Sequence, residues 1–298
     1  MADPVAEAFG LLVDGDPARG ELDRGGRMLR WVEAGSGTPV VLEAGAMSPV
    51  VTFAAVFREL ATDHRVIAYD RAGYGASDPA PLSVDLQVGD LIALLEEVGP
   101  AVVVGHSWGG LLAQLASWER PDLIKGLVLL DPSHETFWQD AEPMRRPDRT
   151  RPPTEDPRYG DTLGSTEELA EEISRSLAGY PADKAGGASR REAELREACL
   201  SYVRTDEQLF TFLDELPMVL EHVEELAARR AAAVWPEAPL TVLTATKGRP
   251  AEFTPWVVAV QEGMATEGGG RHLVVADSGH YLQIDRPDLV VGCVRGTR

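Results

Sequence analysis

The pentapeptide GHSWG at positions 105–109 places a serine between two glycines at the end of an apolar run. The run at 101–104 predicts a strand, and the residues that follow the pentapeptide predict a helix. A sharp Gly-x-Ser-x-Gly turn from strand to helix holds a serine oxygen above the edge of a sheet. The two glycines leave room where strand and helix nearly touch. This pattern predicts that Ser107 is a nucleophile that attacks carbonyl carbons.

A serine nucleophile needs a base, and His280 is the best placed of the six histidines. It lies in a glycine-containing loop just after the last predicted strand, which brings it to the same edge of the sheet as Ser107. The order serine, acid, histidine along the chain is the one found with such a turn. His134 is the rival candidate because it also lies close to that edge.

The base in turn needs a carboxylate that orients its ring and stabilises the imidazolium. Asp131 is predicted for this role because it ends the apolar strand at 124–130, one strand beyond the serine. The loop after the following strand contains no carboxylate until Glu252, which is the second candidate. Glu135 is the third candidate.

Backbone N–H groups are expected to bind the oxyanion that forms during attack on a carbonyl. The N–H of Trp108 is one donor, and the second is predicted at Ala46, or alternatively at Met47, in the loop after the strand at 40–44. The predicted substrate pocket consists of Met47, Phe137, Trp138 and Tyr281, with packing within the central segment as the alternative for Phe137 and Trp138. Further aromatic residues are expected either to line that pocket or to pack within the central segment: Tyr159, Tyr180, Phe210 and Phe212.

The elements that position these residues are predicted from apolar runs that alternate with helical patterns. Such runs indicate a mostly parallel sheet with helices on both faces, an α/β fold. Between 134 and 235 the patterns predict helices without a convincing buried strand. One helix is expected to begin at a capping box at 165–168, and others are expected near 190–204, 206–216 and 218–233. The prediction is therefore a core domain, 1–133 and 236–298, with an inserted helical cap, 134–235.

Composition excludes several other classes of function. The 298 residues are 44% hydrophobic and 26% charged, as in soluble globular proteins. The formal net charge of −20 argues against nucleic acids and anionic membranes as partners. The two cysteines, Cys199 and Cys293, form no disulfide framework, and no apolar run is long enough for a signal peptide or a membrane span. We expect a cytoplasmic protein without a metal or an organic cofactor.

These motifs together resemble the α/β-hydrolase superfamily, in the branch that has a helical cap. Residues 70–78, DRAGYGASD, resemble the family's Asp-Arg-x-Gly-x-Gly-x-Ser loop, and SGHY at 278–281 resembles its C-terminal histidine motif. The resemblance covers about 28–133 and 236–298. Within the first motif we expect structural roles for Asp70, Arg71 and Ser77.

Two departures from the family pattern matter for the site. The family often has His-Gly in its oxyanion loop, whereas this chain has Ala44-Gly45. The family also often places its acid after the strand at 240–246, and the absence of a carboxylate there implies the variant with the acid one strand earlier, at Asp131. The serine at the elbow argues against the haloalkane dehalogenase and epoxide hydrolase members, which use an aspartate there.

The function expected from these residues and this resemblance is hydrolysis of an ester, lactone, thioester or related acyl compound. The substrate is expected to be a small apolar molecule. An acyltransferase or cyclase would use the same residues, and product analysis with an added nucleophile distinguishes it from a hydrolase. A non-catalytic ligand-binding protein on the same fold is a further alternative, and intact Ser107, Asp131 and His280 argue against it. The sequence leaves the oligomeric state open.

Overall fold

The computed structural model describes residues 3–13, 16–177 and 188–297. Its eight strands form one sheet, and their bounds in chain order are β1 (Ala18–Asp23), β2 (Met28–Ala34), β3 (Pro39–Glu43), β4 (Arg65–Asp70), β5 (Ala101–His106), β6 (Ile124–Leu130), β7 (Leu240–Ala245) and β8 (Arg271–Val275). The strand order across the sheet is β1-β2-β4-β3-β5-β6-β7-β8. β2 is antiparallel to both β1 and β4, and every other neighbouring pair is parallel.

Helices cover both faces of this sheet, as predicted. They are α1 (Pro4–Gly10), α2 (Ala54–Leu60), α3 (Val84–Val98), α4 (Trp108–Glu119), α5 (Tyr159–Ser176), α6 (Ala188–Leu200), α7 (Asp206–Glu221), α8 (Val223–Ala231), α9 (Thr254–Glu267), α10 (Leu282–Asp285) and α11 (Pro287–Arg295). Helices α1, α2 and α11 pack into one apolar cluster, and α3, α4 and α9 pack into the other. The mostly parallel α/β fold is therefore confirmed.

The central strands are buried on both faces, which explains why their sequences are continuously apolar. In β3, Val40 and Leu42 point into the first cluster, while Val41 between them points into the second. Val102 and Val103 of β5 divide between the two clusters in the same way. Successive side chains of a strand point to opposite faces, so a strand covered on both sides needs apolar residues at every position.

The strand β1 was not predicted, because it lies at the edge of the sheet and carries little apolar sequence. Its residues, ARGELD, are partly or largely exposed along the whole strand. It pairs with β2 alone, so one of its edges faces away from the sheet. Without a buried face, such a strand has no alternating apolar pattern to detect.

We call residues 134–235 the inserted segment, because they leave the sheet after β6 and return to it at β7. Within its described residues the ordered elements are helices, namely α5 to α8 and short 3₁₀ turns, with no strand. The predicted capping box at 165–168 is wrong, because α5 already begins at Tyr159. Inside α5 the hydroxyls of Thr162 and Thr166 donate to carbonyls four residues earlier, which accommodates these polar residues within the helix.

The break predicted between the helices at 206–216 and 218–233 is also wrong, since α7 continues through Pro217. A proline inside a helix removes the N–H that would bond to the carbonyl four residues earlier. Here that carbonyl belongs to Leu213, and it accepts a hydrogen bond of 2.8 Å from Arg158 Nη1. The arginine supplies the donor that the proline lacks, so the helix persists to Glu221.

None of the helices in the described ranges combines the length and apolarity that a bilayer-spanning segment needs.

Candidate active site

The elbow at Ser107 has the strand-turn-helix context that the sequence predicts. Ser107 lies directly between β5 and α4, with φ 52° and ψ −119°. A Cβ at Gly105 would lie 2.7 Å from the carbonyl oxygen of Gly109, and a Cβ at Gly109 would lie 2.3 Å from the carbonyl oxygen of Ala44. No real Cβ approaches backbone this closely, so both flanking positions require glycine. The close contacts hold the serine in a backbone conformation that non-glycine residues rarely adopt.

Asp131 and His280 meet at the same edge of the sheet. Asp131 follows β6 directly, His280 lies in the loop after β8, and His280 Nδ1 is 2.6 Å from Asp131 Oδ2. The Asp131 side chain is buried, whereas the His280 side chain is 46% exposed. A hydrogen bond from Nδ1–H to the carboxylate leaves Nε2 of His280 unprotonated and able to accept a proton.

The residue before the serine anchors the histidine loop. His106 Nε2 lies 2.9 Å from the backbone oxygen of His280, and the two imidazole rings are 4.6 Å apart. Burial, and then the nearby His280, lower the pKa of His106 well below its ordinary value. His106 is therefore neutral, and it donates its Nε2 hydrogen to the His280 carbonyl. This contact fixes the His280 loop beside the elbow that carries Ser107.

The rival candidates lie in other surroundings. Glu135 is buried and forms an ion pair of 2.8 Å with Arg230, and Glu252 is exposed. His134 accepts from the backbone N–H of Thr136, and burial, reinforced by Arg230, lowers its pKa to about 4. The structure thus brings together Asp131 and His280, and it holds the rival acid Glu135 and the rival base His134 in contacts of their own.

Two further residues contact Asp131, and the sequence reasoning did not identify either. Arg249 Nη2 donates to Asp131 Oδ2 at 2.6 Å, on the same oxygen that faces His280. Gln261 Nε2 donates to Asp131 Oδ1 at 3.2 Å and to the carbonyl of Pro132 at 2.8 Å. A sequence signal for Arg249 did exist, because it follows β7 at the edge of the sheet where Asp131 was expected.

The loop after β3 lies against the serine, as an oxyanion loop must. A Cβ at Gly45 would lie 3.2 Å from Ser107 Cβ and 2.9 Å from His106 Nδ1. The N–H of Trp108 begins helix α4 and has no acceptor within that helix, because first-turn N–H groups have none. The N–H of Met47 donates to Glu215 Oε2 at 2.7 Å, so the alternative of Met47 as the second oxyanion donor is wrong. The N–H of Ala46 remains the expected second oxyanion donor.

The Asp-Arg-x-Gly-x-Gly-x-Ser loop has the structural contacts expected of it. Arg71 Nη1 donates to the carbonyl of Ala44 at 2.6 Å, and Arg71 Nη2 donates to the carbonyl of Gly45 at 2.7 Å. Ser77 Oγ donates to the backbone oxygen of Asp70 at 2.6 Å. The two Arg71 bonds hold the loop after β3, and the Ser77 bond holds the 70–78 loop itself.

A cavity of about 340 Å³ lies between the oxyanion loop and the inserted segment. Its wall includes Ala46, Met47 and Tyr281, together with residues of α5 and α7: Asp161, Thr162, Ser165, Thr166, Leu169, Phe212, Leu213 and Leu216. Of the predicted pocket residues, Met47 and Tyr281 line this cavity. The remaining two are placed elsewhere, because Phe137 packs on Trp256 and Trp138 packs on Trp108.

The wider set of aromatic residues divides in the same way. Phe212 lines the cavity, while Phe210 is buried beneath the guanidinium of Arg149. Tyr159 packs against the apolar cluster, and Tyr180 lies outside the described residues. Met47 and Tyr281 therefore lie on the cavity, next to the elbow and the histidine, whereas Phe137 and Trp138 pack against other aromatic rings.

Cysteine and metal chemistry find no support in the described part of the chain. Cys199 and Cys293 are buried free thiols, and burial raises the pKa of Cys199 to about 12. No group of three or more histidine, cysteine, aspartate or glutamate side chains is arranged as a metal site among the residues described.

Local sequence relatives match parts of the chain. Lipase LipV of Mycobacterium tuberculosis is 46% identical over 71 residues, which are 23% of this chain and 27% of that protein. Polyketide synthase ThaQ of Burkholderia thailandensis is 37% identical over 118 residues, which are 38% of this chain and 5% of that protein. The chain therefore spans well under half the length of either relative.

Whole-chain comparisons define the fold and the family. Wild-type Cfl2 of Burkholderia cenocepacia superposes with a TM-score of 0.68 at 21% identity, over 94% of this chain and 95% of that one. At that identity the likeness concerns the fold alone. A sequence profile of the Alpha/beta hydrolase family matches residues 34–292, which is most of the chain. This protein belongs to the α/β hydrolase family.

Proposed function

We propose that this protein is a serine hydrolase that cleaves an ester, lactone, thioester or related acyl compound. Ser107 is the nucleophile, His280 the base, and Asp131 the acid that orients the base. The observation that carries this proposal is the 2.6 Å contact between His280 Nδ1 and Asp131 Oδ2, at the edge of the sheet where the strained Ser107 lies. These are the parts that acyl transfer through a serine requires.

The first half of the reaction forms an acyl-enzyme. Ser107 Oγ bonds to the acyl carbon while His280 Nε2 accepts the hydroxyl proton. The carbonyl electron pair moves onto the carbonyl oxygen, and the N–H groups of Trp108 and Ala46 bind the resulting oxyanion. When the bond to the leaving group breaks, the His280 imidazolium gives its proton to that group. Asp131 stabilises the imidazolium throughout and does not take its proton.

The second half restores the serine. Water bonds to the acyl carbon as His280 accepts one of its protons, and the oxyanion forms again in the same position. Collapse of this intermediate breaks the bond to Ser107, and the proton on His280 returns to Ser107 Oγ. This half of the reaction releases a carboxylic acid and regenerates the hydroxyl of Ser107. The His280 side chain is 46% exposed, so water can reach the base.

The inserted segment acts as a cap that supplies the acyl-binding cavity. Apolar side chains of Met47, Leu169, Phe212 and Leu216 line this space of about 340 Å³. Arg158, Asp161 and hydroxyl side chains of α5 also line it. A small acyl group that is mainly apolar is the substrate that this size and lining favour.

A fluorophosphonate probe tests the nucleophile, because it modifies only an activated serine. We expect the probe to label Ser107 in the wild-type protein, as located by mass spectrometry of the modified peptide. Ser133 provides a strict internal check, since its Oγ lies 3.5 Å from Ser107 Oγ. The variants Ser107→Ala and His280→Ala should lose labelling, and the matched control His134→Ala should keep it.

Hydrolysis of p-nitrophenyl butyrate by the same variants tests the reaction. Turnover should require Ser107 and His280, and an added alcohol acceptor should not divert the butyryl group from water. Labelling at Ser133, or a folded Ser107→Ala variant with full turnover, contradicts the proposal. Efficient transfer to the alcohol would replace hydrolysis with acyl transfer.

A further inference from the structure

Glu215 is a charged residue in an unusual position. It lies on α7 of the inserted segment, yet its side chain is fully buried against the core of the sheet. Burying a carboxylate is costly unless charged or polar groups bind it. The partners of Glu215 therefore indicate which part of the molecule this residue stabilises.

Both oxygens of Glu215 accept two hydrogen bonds. Oε1 accepts from Arg71 Nη2 at 2.9 Å and from Gln87 Nε2 at 2.7 Å. Oε2 accepts from the backbone N–H of Met47 at 2.7 Å and from the hydroxyl of Tyr74 at 2.5 Å. All four donors come from the core rather than from the inserted segment, so this carboxylate joins the segment to the core.

These contacts reach both sides of the proposed oxyanion site. Met47 immediately follows Ala46. The hydrogen bond from the Met47 N–H to Glu215 fixes the peptide group that joins Ala46 to Met47. On the other side, Gln87 accepts a hydrogen bond of 2.8 Å from the indole Nε1 of Trp108. The Glu215 carboxylate thus binds the loop after β3 directly. It contacts Trp108, the residue after Ser107, through the side chain of Gln87.

The backbone at Met47 shows why such a contact is needed. Its φ is 50°, one of three positive values among the described non-glycine residues. A non-glycine residue in that region is strained, and it persists only where surrounding contacts force it. The hydrogen bond from the Met47 N–H to Glu215 is such a contact, and it comes from the inserted segment.

The electrostatics point the same way. Arg71 forms buried ion pairs with both Glu215 and Glu43, at 2.9 Å and 2.8 Å. Burial by itself would lower the pKa of Arg71, but the two carboxylates hold it well above its ordinary value. Burial raises the pKa of Glu43 in spite of Arg71. An apolar residue of similar volume often stabilises a fold as well as a buried ion pair does, so stability alone is a weak reason for this arrangement.

We propose that Glu215 is a positioning residue that makes the oxyanion site depend on docking of the inserted segment. The proposal rests on the proposed function, because it assigns a role within the same site. Glu215 does not touch the reacting atoms. It acts through Met47 and through Gln87, and its effect should appear in the transition state rather than in substrate binding.

Kinetics of Glu215→Gln test this role. An amide has a donor where the carboxylate has an acceptor, so at least one of the four donors loses its partner. We expect kcat for p-nitrophenyl butyrate to fall by about 100-fold, as for loss or misplacement of an oxyanion donor, with KM unchanged. The matched control is Asp214→Asn. Asp214 is the adjacent buried carboxylate, it binds Arg146 at 2.9 Å within the inserted segment, and its variant should keep kcat.

Hydrogen exchange provides a readout that does not depend on turnover. The Met47 amide should exchange faster in Glu215→Leu than in Asp214→Asn, because the leucine side chain has no acceptor for it. Where Glu215→Gln does not fold, Tyr74→Phe serves as the second variant. It removes one donor to Oε2 and retains the ring, and it should lower kcat several-fold at constant KM.

The possible outcomes separate the two proposals. An active wild type with a folded Glu215→Gln variant that matches Asp214→Asn in kcat overturns the inference and leaves the hydrolase assignment intact. Unchanged exchange at Met47 overturns the inference as well. A wild type without hydrolysis or probe labelling overturns the proposed function, and exchange at Met47 then still decides whether Glu215 fixes the loop.

Discussion

Replacing Ser107 by glycine should make the protein more stable than replacing it by alanine. The backbone at Ser107, with φ 52° and ψ −119°, lies where a Cβ atom is strained. Such strain costs about 1–3 kcal/mol, and glycine removes it. Glycine also makes the unfolded chain more flexible, which costs about 0.5–1 kcal/mol. The expected net gain of Ser107→Gly over Ser107→Ala lies between about 0 and 2.5 kcal/mol, with a central value of about 1 kcal/mol.

The comparison with alanine isolates the backbone effect, because both variants lack the hydroxyl. The measurement is the free energy of unfolding from urea denaturation of the two variants. Ser117 gives a matched control in the interior of α4, where the backbone is helical. At that site glycine should be less stable than alanine by about 1 kcal/mol. The two sites should therefore give opposite signs.

One result would refute this reasoning. If Ser107→Gly is no more stable than Ser107→Ala, while Ser117 behaves as expected, the elbow carries no backbone strain. The tight packing of Gly105 and Gly109 would then not force the serine into its observed conformation. If the expected result is obtained, the chain retains a destabilising serine at a position where glycine would be more stable. Catalysis is the physical reason to retain it.

Three further predictions concern the acid, the elbow and the effect of pH. Asp131→Asn should lower kcat on the order of 10⁴-fold in the p-nitrophenyl butyrate assay, whereas Glu252→Gln should not change it. Gly109→Ala should destabilise the protein by at least about 1–3 kcal/mol in urea and abolish probe labelling, because its Cβ would lie 2.3 Å from a backbone oxygen. Burial raises the pKa of Asp70 from 3.8 to about 7. The folded state therefore binds this proton more tightly than the unfolded state, and the stability from this group is complete below pH 4 and is lost as the pH rises towards 7. In Asp70→Asn, the fall in unfolding free energy between pH 5 and 7 should be smaller by an amount on the order of a few kcal/mol. If the variant shows the same fall as the wild type, the raised pKa of Asp70 is contradicted.

The parts of the site that sequence could predict are those that follow from local pattern and strand order. The elbow needs only five consecutive residues, and the continuously apolar runs of β5 and β6 identify strands covered on both faces. Parallel strands bring their carboxyl ends to one edge, so the residues after β5, β6 and β8 were expected together. The contact between Asp131 and His280 agrees with that expectation. Their catalytic roles remain predictions that the variants test.

The parts that sequence could not predict depend on contacts between distant segments. Pro217 is a helix breaker by local rules, and α7 continues only because Arg158, 59 positions earlier in the numbering, donates to the orphaned carbonyl. The sequence left open whether Phe137 and Trp138 line the pocket or pack elsewhere, and each packs against another aromatic ring. Glu215 has no motif, because its four partners come from three separate segments of the core: the loop after β3, the loop at 70–78 and helix α3.

The two halves of the site are held by different parts of the molecule. Asp131 is held by Arg249 from the loop after β7 and by Gln261 from α9, so its position does not depend on His280 alone. Removal of the His280 side chain should therefore leave the acid in place, and loss of labelling in that variant reports the base itself. The loop after β3 is held from the core by Arg71 and from the inserted segment by Glu215. If the proposed roles are correct, a displacement of that segment should lower turnover through the loop after β3, while the contact between Asp131 and His280 remains.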